Sequence, residues 1–476
     1  MSKLPPQQLR DVSEGIIQKV DVSITPLNSV CMAVNLVFDD IIGRAVLRKD
    51  REQLGSQIID GKSCLGLYQH VTTAGTKVPL AVFNASGDAT AVLSKYTSST
   101  WSNAKTGLTQ GAKMRFETLA DTTVAVNGTD AISSADGATW VTTGGNLDVG
   151  NMPKGTMVRE WQDKIFTAGV SGNPDRIYFT SSLTAGVVSW TSGNGYIDIE
   201  PEEGAGGITA LNKVPGYLLI FKERSLKRWD GSSTYPESLV TIGTPSQEAV
   251  VQTKQSCFYF NKLGVYETTG GYPRKISRRI QEIIEGIPSS YYSSVSGWGD
   301  GERVYFSIGD ITWRDMAISN VVIMYSIDSQ VWAVLTFPTE IKRWSNFVSS
   351  DGDEIIMAGD DDGNVWKVFN VDAQADIDWM IQYQPQEFGS RGRTKKMAKI
   401  VPFTEYVRSG RVTVMADGKG NFEPLGKNPT IQKEVQEIVG DVSGRYFDIR
   451  IQGKGRRAEI IGVDFPEIDV NLNYGN

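Results

Sequence analysis

Short apolar runs recur along most of the chain, separated by polar turns. Leu80–Phe83, Thr122–Val126, Leu218–Phe221 and Val304–Ile308 are typical. Runs of this length, rich in β-branched and aromatic residues, predict strands. Between them stand Asn127-Gly128, Asp136-Gly137, Asp230-Gly231, Asp300-Gly301, Asp351-Gly352 and Asp362-Gly363. These dipeptides favour tight hairpins because their residues tolerate positive φ. A helical period stands out at Lys275–Ile287, where Ile276, Ile280, Ile283, Ile284 and Ile287 share a face, with Gly286 and Pro288 as the stop.

The strand runs group into units. Units begin near Cys64, Ala112, Gly155, Ala205, Ser246, Val295 and Ser345, and most carry a tryptophan near the end: Trp101, Trp140, Trp190, Trp229, Trp332 and Trp366. Residues 64–372 divided over seven units give about 44 residues each, close to the ~40–45 of a four-stranded propeller blade. The expected fold is therefore all-β: a β-propeller of about seven blades, within a range of six to eight, followed by a C-terminal β-sandwich-like domain. A pair of ordinary β-sandwiches with chance spacing is the competing arrangement.

Three regions are predicted: an extended N-terminal arm over 1–20, a propeller over 21–375, and a sandwich over 376–476. Pro5 and Pro6 suggest the extended arm, which is expected to be removable without unfolding the rest. The runs Val20–Ile24 and Val34–Phe38 offer a strand to complete the last blade, which has too few of its own. Beyond Asp376 the runs lengthen: Trp379–Gln384, Ala398–Phe403, Arg411–Met415, Tyr446–Ile451 and Ala458–Phe465.

Composition narrows the function classes. The 476 residues are 40% apolar and 9% aromatic, with 49 glycines, a folded chain rich in turns rather than a disordered one. A single histidine, His70, and scattered Cys31, Cys64 and Cys257 argue against a multi-ligand zinc or haem site, so no cofactor is expected. No secretory leader or long apolar span is evident, so a soluble chain made in the cytoplasm, with reduced thiols, is expected. The net charge of −7 is uneven: residues 376–476 hold 15 Lys and Arg against 14 Asp and Glu, leaving −8 in the first 375.

Candidate chemistry is thin. Ser133–Trp140 is similar to the Asp-box of sialidase-type propellers, but Ala135 stands where the aspartate belongs and Asp136 is one place late. Even an intact box locks a hairpin and does no catalysis. The acids from Asp351 to Asp362 lack calcium-loop spacing. Cys64 and His70 lie six apart but have no evident third group to orient them. Asn84 and Asn127 fit the glycosylation pattern but read as turns. Basic clusters occur at Lys275, Arg278 and Arg279, at Lys454, Arg456 and Arg457, and at Arg391, Arg393, Lys395, Lys396 and Lys399. Such groups neutralise phosphate in DNA-binding proteins. Acidic neighbours favour protein–protein rim contacts instead, and the N-terminal arm and the 391–399 run are the candidate assembly contacts.

The order of arm, degenerate propeller and closing β-domain resembles the hub or nozzle proteins of short-tailed bacteriophages, also called tail accessory or packaged-DNA stabilisation proteins. The resemblance is carried by Met152–Phe179, Gly216–Asp230, Gly243–Arg279 and Arg411–Phe465. It implies a non-enzymatic structural protein of the virion tail, assembled in the host cytoplasm with no membrane contact. Such a protein forms a ring, expected to be a homohexamer, below the portal and adaptor and above distal tail components. It extends the DNA channel, helps retain packaged DNA and conducts it during ejection, touching it transiently and without sequence preference. An acidic channel wall would let DNA slide rather than stick. The alternative is a glycan-binding or sialidase-like propeller, a receptor-binding adhesin or glycosidase.

Overall fold

The computed structural model describes residues 2–19, 25–199, 206–349, 351–388, 393–407, 409–418, 422–424, 430–431 and 436–470. Seven antiparallel sheets follow one another along the chain, six of four strands and one of three. In six of them consecutive strands are neighbours, so each is a simple meander; the seventh takes one strand from the N-terminal part of the chain. The first strands are Cys64–Val71, Arg115–Leu119, Met157–Trp161, Ala210–Val214, Val250–Gln252, Ser296–Gly299 and Ile341–Val348. Each first strand touches the next around the series, and the seventh returns to the first. The result is a closed seven-bladed β-propeller, within the expected range of blades, with these strands innermost.

Why the runs are apolar on both faces follows from this ring. Thr122–Val126 and Cys257–Asn261 are buried throughout because each blade is covered by a neighbour on either side. Separate apolar clusters fill six of the seven gaps between blades, and the gap between blades five and six is filled by a cluster that runs on into the second domain. Between blades one and two the cluster joins Leu80, Val82 and Leu93 to Ala125, Ile132 and Trp140. Between three and four it joins Trp161 and Phe166 to Leu218 and Trp229. Of the unit-ending tryptophans, Trp140, Trp190, Trp229 and Trp332 are buried in these clusters, while Trp101 and Trp366 are half-buried against them; fully burying a large apolar side chain stabilises by roughly 1.5–3 kcal/mol.

The last blade closes non-locally. Its own strands are Ile341–Val348, Glu354–Asp360 and Val365–Val371. The fourth and outermost is Asp50–Gln53, with Arg51 opposite Val368 and its guanidinium 3.8 Å over the Trp366 ring. An N-terminal strand does close the ring, as expected, but it is not one of those offered. Val20–Ile24 lies outside the described residues. Ser29–Val34 and Leu36–Val37 join the second domain instead.

That domain is a sandwich of two sheets, and here the expected boundaries need correcting. One sheet has the order Ser2–Lys3, Ile468–Val470, Lys395–Glu405, Glu459–Phe465, Ala45–Leu47, Leu36–Val37, and Gln7–Arg10 also pairs with Glu459–Phe465. The other centres on Ser29–Val34, Ile377–Tyr383, Phe447–Gly455 and Gly410–Ala416. Residues 2–19 are thus no free arm, and the described residues up to Leu47 belong to the sandwich rather than the propeller. The cause is burial: Leu9, Val12, Ile16, Val30, Met32 and Leu36 complete the sandwich core. Prolines 5 and 6 sit in the bend between two arm strands rather than in an extended tail.

The sandwich core is continuous with blades five and six. The helical segment Ser277–Glu285 packs there, presenting Ile280, Ile283 and Ile284. It is shorter than the expected helix and starts as a 3-10 turn. Asn35, at φ +60°, marks where the chain passes between the two sheets. Its amide nitrogen donates to Thr336 Oγ1 (2.8 Å) and the Asp378 carbonyl (2.7 Å), and its oxygen accepts from the Thr336 N–H and Arg48 Nε. One side chain thus pins the sandwich to blade six.

Candidate functional site: the axial mouth of the ring

The inner strands all begin at the same end of the ring, and charge collects there. The 3-10 turn Gln247–Ala249 precedes the inner strand of blade five. The Gln247 side chain bonds both the N–H and the carbonyl of Leu211 in blade four, which fixes the turn. Glu248 then projects across the mouth to blade two. There Arg115 Nε lies 2.8 Å away and Lys113 Nζ 3.4 Å away. Arg115 also donates to the Thr156 carbonyl of blade three, and Lys113 to the Ser293 carbonyl before blade six. Blades two and five lie nearly opposite in a seven-membered ring, so this pair bars one end of the axis.

The electrostatics are lopsided. Burial alone would raise the Glu248 carboxyl, but Arg115, Arg343 and Lys113 together hold it well below the usual carboxylate range. Burial lowers the Lys113 ammonium, with Glu248 opposing and the two arginines adding to the shift. Among the described residues, three cations thus surround one carboxylate. Beside them lies a polar cavity of about 340 Å³ lined by Lys113, Arg115, Thr156, Thr209, Pro245 and Ser246, among others. Ser246 is 8% exposed, and its hydroxyl has no hydrogen-bond partner. Further along the axis the inner strands are joined by ion pairs, Arg159 to Glu117 at 3.0 Å and Lys213 to Glu160.

Sequence reading did not single out this cluster. Its only linear signal is the recurrence of charged residues where successive units begin. The residues it did single out sit elsewhere. Arg391 lies outside the described residues. Lys395 is buried, its ammonium donating to the Arg445 carbonyl at 2.6 Å. Lys399 pairs with Glu437 at 3.1 Å, while Lys396 is half-buried and Arg393 exposed. All four fall on or just before the strand Lys395–Glu405. The other basic clusters are largely paired: Arg279 meets Glu14, and Arg457 meets Glu459.

Cys64 and His70 do not meet. A register shift between Cys64 and Gly66 turns the strand, so Cys64 packs toward Gly359 of blade seven while His70 Nδ1 bonds Thr123 of blade two. Burial pushes the Cys64 thiol up to about 12, leaving it un-ionised. Thr123 continues through Thr118 to the Tyr68 hydroxyl, a buried polar chain linking blades one and two. Asp136 does the work of the Asp-box aspartate from its shifted place. It accepts from the N–H groups of Ala138 and Thr139 and from Ser134 Oγ, while Trp140 Nε1 reaches the Gly137 carbonyl. Asp230, Asp300 and Asp360 cap turns likewise. Among the described residues, no three His, Cys, Asp or Glu side chains are grouped to hold a metal.

No family model matches the chain, and no curated protein does. Among solved structures, it is similar to YCF48 bound to D1 peptide, at 13% identity over 67% of this chain and 94% of that one, with a TM-score of 0.41. It is also similar to YCF48 from Cyanidioschyzon merolae, at 10% identity over 67% and 98%, with a TM-score of 0.40. Likeness at this level transfers nothing about function. The propeller is established by its own strand pairing and ring closure.

Proposed function

We propose that this chain is a structural component of a short-tailed phage virion, a hub or nozzle protein that forms a ring, as a homohexamer, below the portal and adaptor. The observation that carries this reading is the architecture: a propeller and a sandwich fused through one continuous core. A rotationally closed ring of identical chains needs two unlike, rigidly related faces, and this body supplies them. The axial bar made by Glu248, Arg115 and Lys113 bears on the same reading. It prevents a duplex from threading a single propeller, so the DNA conduit would lie between copies. The charge of −8 over the first 375 residues would help DNA slide past. The role is architectural rather than enzymatic.

Cryo-electron microscopy of the virion tail tests this directly. Six-fold density for this chain between portal and distal tail is the expected result. Its absence from the head–tail channel, or a purified monomer that cleaves glycans, would overturn the proposal.

A further inference from the structure

Blade six reaches out of the ring. Its central hairpin, Arg303–Trp313 with Met316–Ser326, is 11 residues a side, but the neighbouring strands of the blade pair only with its base. Register shifts flank Gly309, whose φ of +67° turns the tip away from the blade. The tip meets the outer face of the sandwich sheet that contains Ile377–Tyr383 and Phe447–Gly455, and together they line a groove of about 570 Å³. That lies within the roughly 300–1,000 Å³ of ligand pockets. The groove has two unlike ends. Val34 and Met380 are paired on adjacent strands, with Met316 and Ile318 of the tip beside them, and all four are half-buried apolar residues. Across the sheet from Met380 the register continues through Gln452 to Arg411, and Lys454 pairs with Asp378 along the same strands. Arg411, Lys454 and Asp378 are exposed. Three strand spacings separate Val34 from Arg411, about 14 Å.

We propose that this groove binds an anionic amphiphile, a single medium-chain aliphatic carboxylate. Its chain would lie along Val34, Met380, Met316 and Ile318, and its head would sit between Arg411 and Lys454. Three observations select this occupant. The floor is a sheet face whose main-chain groups are spent on the ladder between strands. An extended peptide laid there would bury its own amides without partners, which is costly, whereas a hydrocarbon chain has none to satisfy. The two methionines supply flexible, polarisable walls that adapt to a chain of no fixed shape. At the far end the lining carries two cations to one carboxylate, so an anionic head is favoured over a neutral one. The inference is independent of the virion reading, since it concerns the junction of two domains within one chain.

The test is isothermal titration calorimetry of the full chain with decanoate, kept below the concentration at which it forms micelles. Decanol is the uncharged control and acetate the control without a chain. Decanoate is expected to bind at least about tenfold more tightly than decanol, and acetate not to bind measurably. The advantage of decanoate should shrink as salt rises. Arg411→Gln combined with Lys454→Gln, both at exposed positions, should bring decanoate down to the affinity of decanol and leave decanol unchanged. Ile318→Gln should weaken both ligands, and if it does not fold the exposed double variant carries the test alone. Equal affinity of the native chain for decanoate and decanol, no binding of decanoate, undiminished decanoate binding by the double variant, or binding to anionic phospholipid vesicles in place of free decanoate would overturn the proposal.

Discussion

The propeller and the sandwich are both antiparallel, both filled with β-branched and aromatic residues, and they draw on the chain in opposite ways. Six of the seven blades are built from strands that follow one another directly, joined by hairpin turns. The sandwich is built from the two ends of the chain: Gln7–Arg10 pairs with Glu459–Phe465, and Ser29–Val34 with Ile377–Tyr383. Local pairing costs little loop entropy, whereas pairing across more than three hundred residues is reached only after the intervening chain has ordered. The propeller therefore works as a spacer that brings the ends of the sandwich together. The sandwich in turn holds the strand Asp50–Gln53 near the last blade that it closes.

If that mutual dependence is right, removing the N-terminal strands has the largest effect. Deletion of residues 1–18 takes Leu9, Val12 and Ile16 out of a shared core. Each large buried aliphatic lost costs about 2–5 kcal/mol, so the sandwich is expected to unfold. Limited proteolysis should then cleave within 376–476 while the blades resist. A truncated chain that melts like the full one would show the arm to be dispensable after all.

Asn35→Ala comes next. It removes four hydrogen bonds, two of them from the sandwich to Thr336 of blade six, and places alanine at positive φ, a loss expected to be about 2–4 kcal/mol. Denaturant unfolding should show it, and the sharper result would be two transitions where the native chain has one. A single unshifted transition would mean that the apolar core alone joins the two domains.

The third prediction concerns the propeller alone. Burial lowers the pKa of His70, with Asp136 and a backbone carbonyl opposing. The unfolded chain binds its proton first, so stability is full above about pH 6.5 and declines as pH falls toward the lowered folded value. His70 is the only histidine, which makes the window specific. Melting temperature should drop between pH 7 and 5.5 in the native chain and less so in His70→Gln. An equal drop in both would place the acid sensitivity elsewhere.

The smallest effect belongs to a single turn. Asp136→Ala loses the cap on one hairpin and should cost about 1 kcal/mol or less, since the strands it joins are held from both sides. A small shift in melting temperature, without loss of cooperativity, is the expected outcome. Collapse of blade two would make the turn a determinant of the fold rather than a local lock.

The same contrast decides what was legible in the chain. Units expected near Cys64, Ala112, Gly155, Ala205, Ser246, Val295 and Ser345 begin within five residues of the observed inner strands. Hairpin periodicity is a local property, and the Asp-Gly turns and unit-ending tryptophans mark it. The five C-terminal strand runs were legible for the same reason. The sharing of the sandwich between both ends was not, because Leu9, Val12 and Ile16 show no linear sign of their partners. The run 391–399 misled as a basic patch because alternation in Lys395–Glu405 sends Lys395 inward, and nothing in its neighbours shows Arg445 waiting there.

The amino-acid sequence by itself determined an all-β chain, the repeat of about 44 residues and its hairpin turns, and the uneven placement of charge. These follow from residue spacing along a strand and from the turns that glycine and aspartate permit. Only the tertiary structure decided that the ring has seven blades, that Asp50–Gln53 closes it, and that both termini make one sandwich. It alone also set Glu248 of one blade against Arg115 of another across the axis. Side chains more than a hundred residues apart meet there because the ring curves back on itself, and curvature is a property of the packed blades rather than of any one of them.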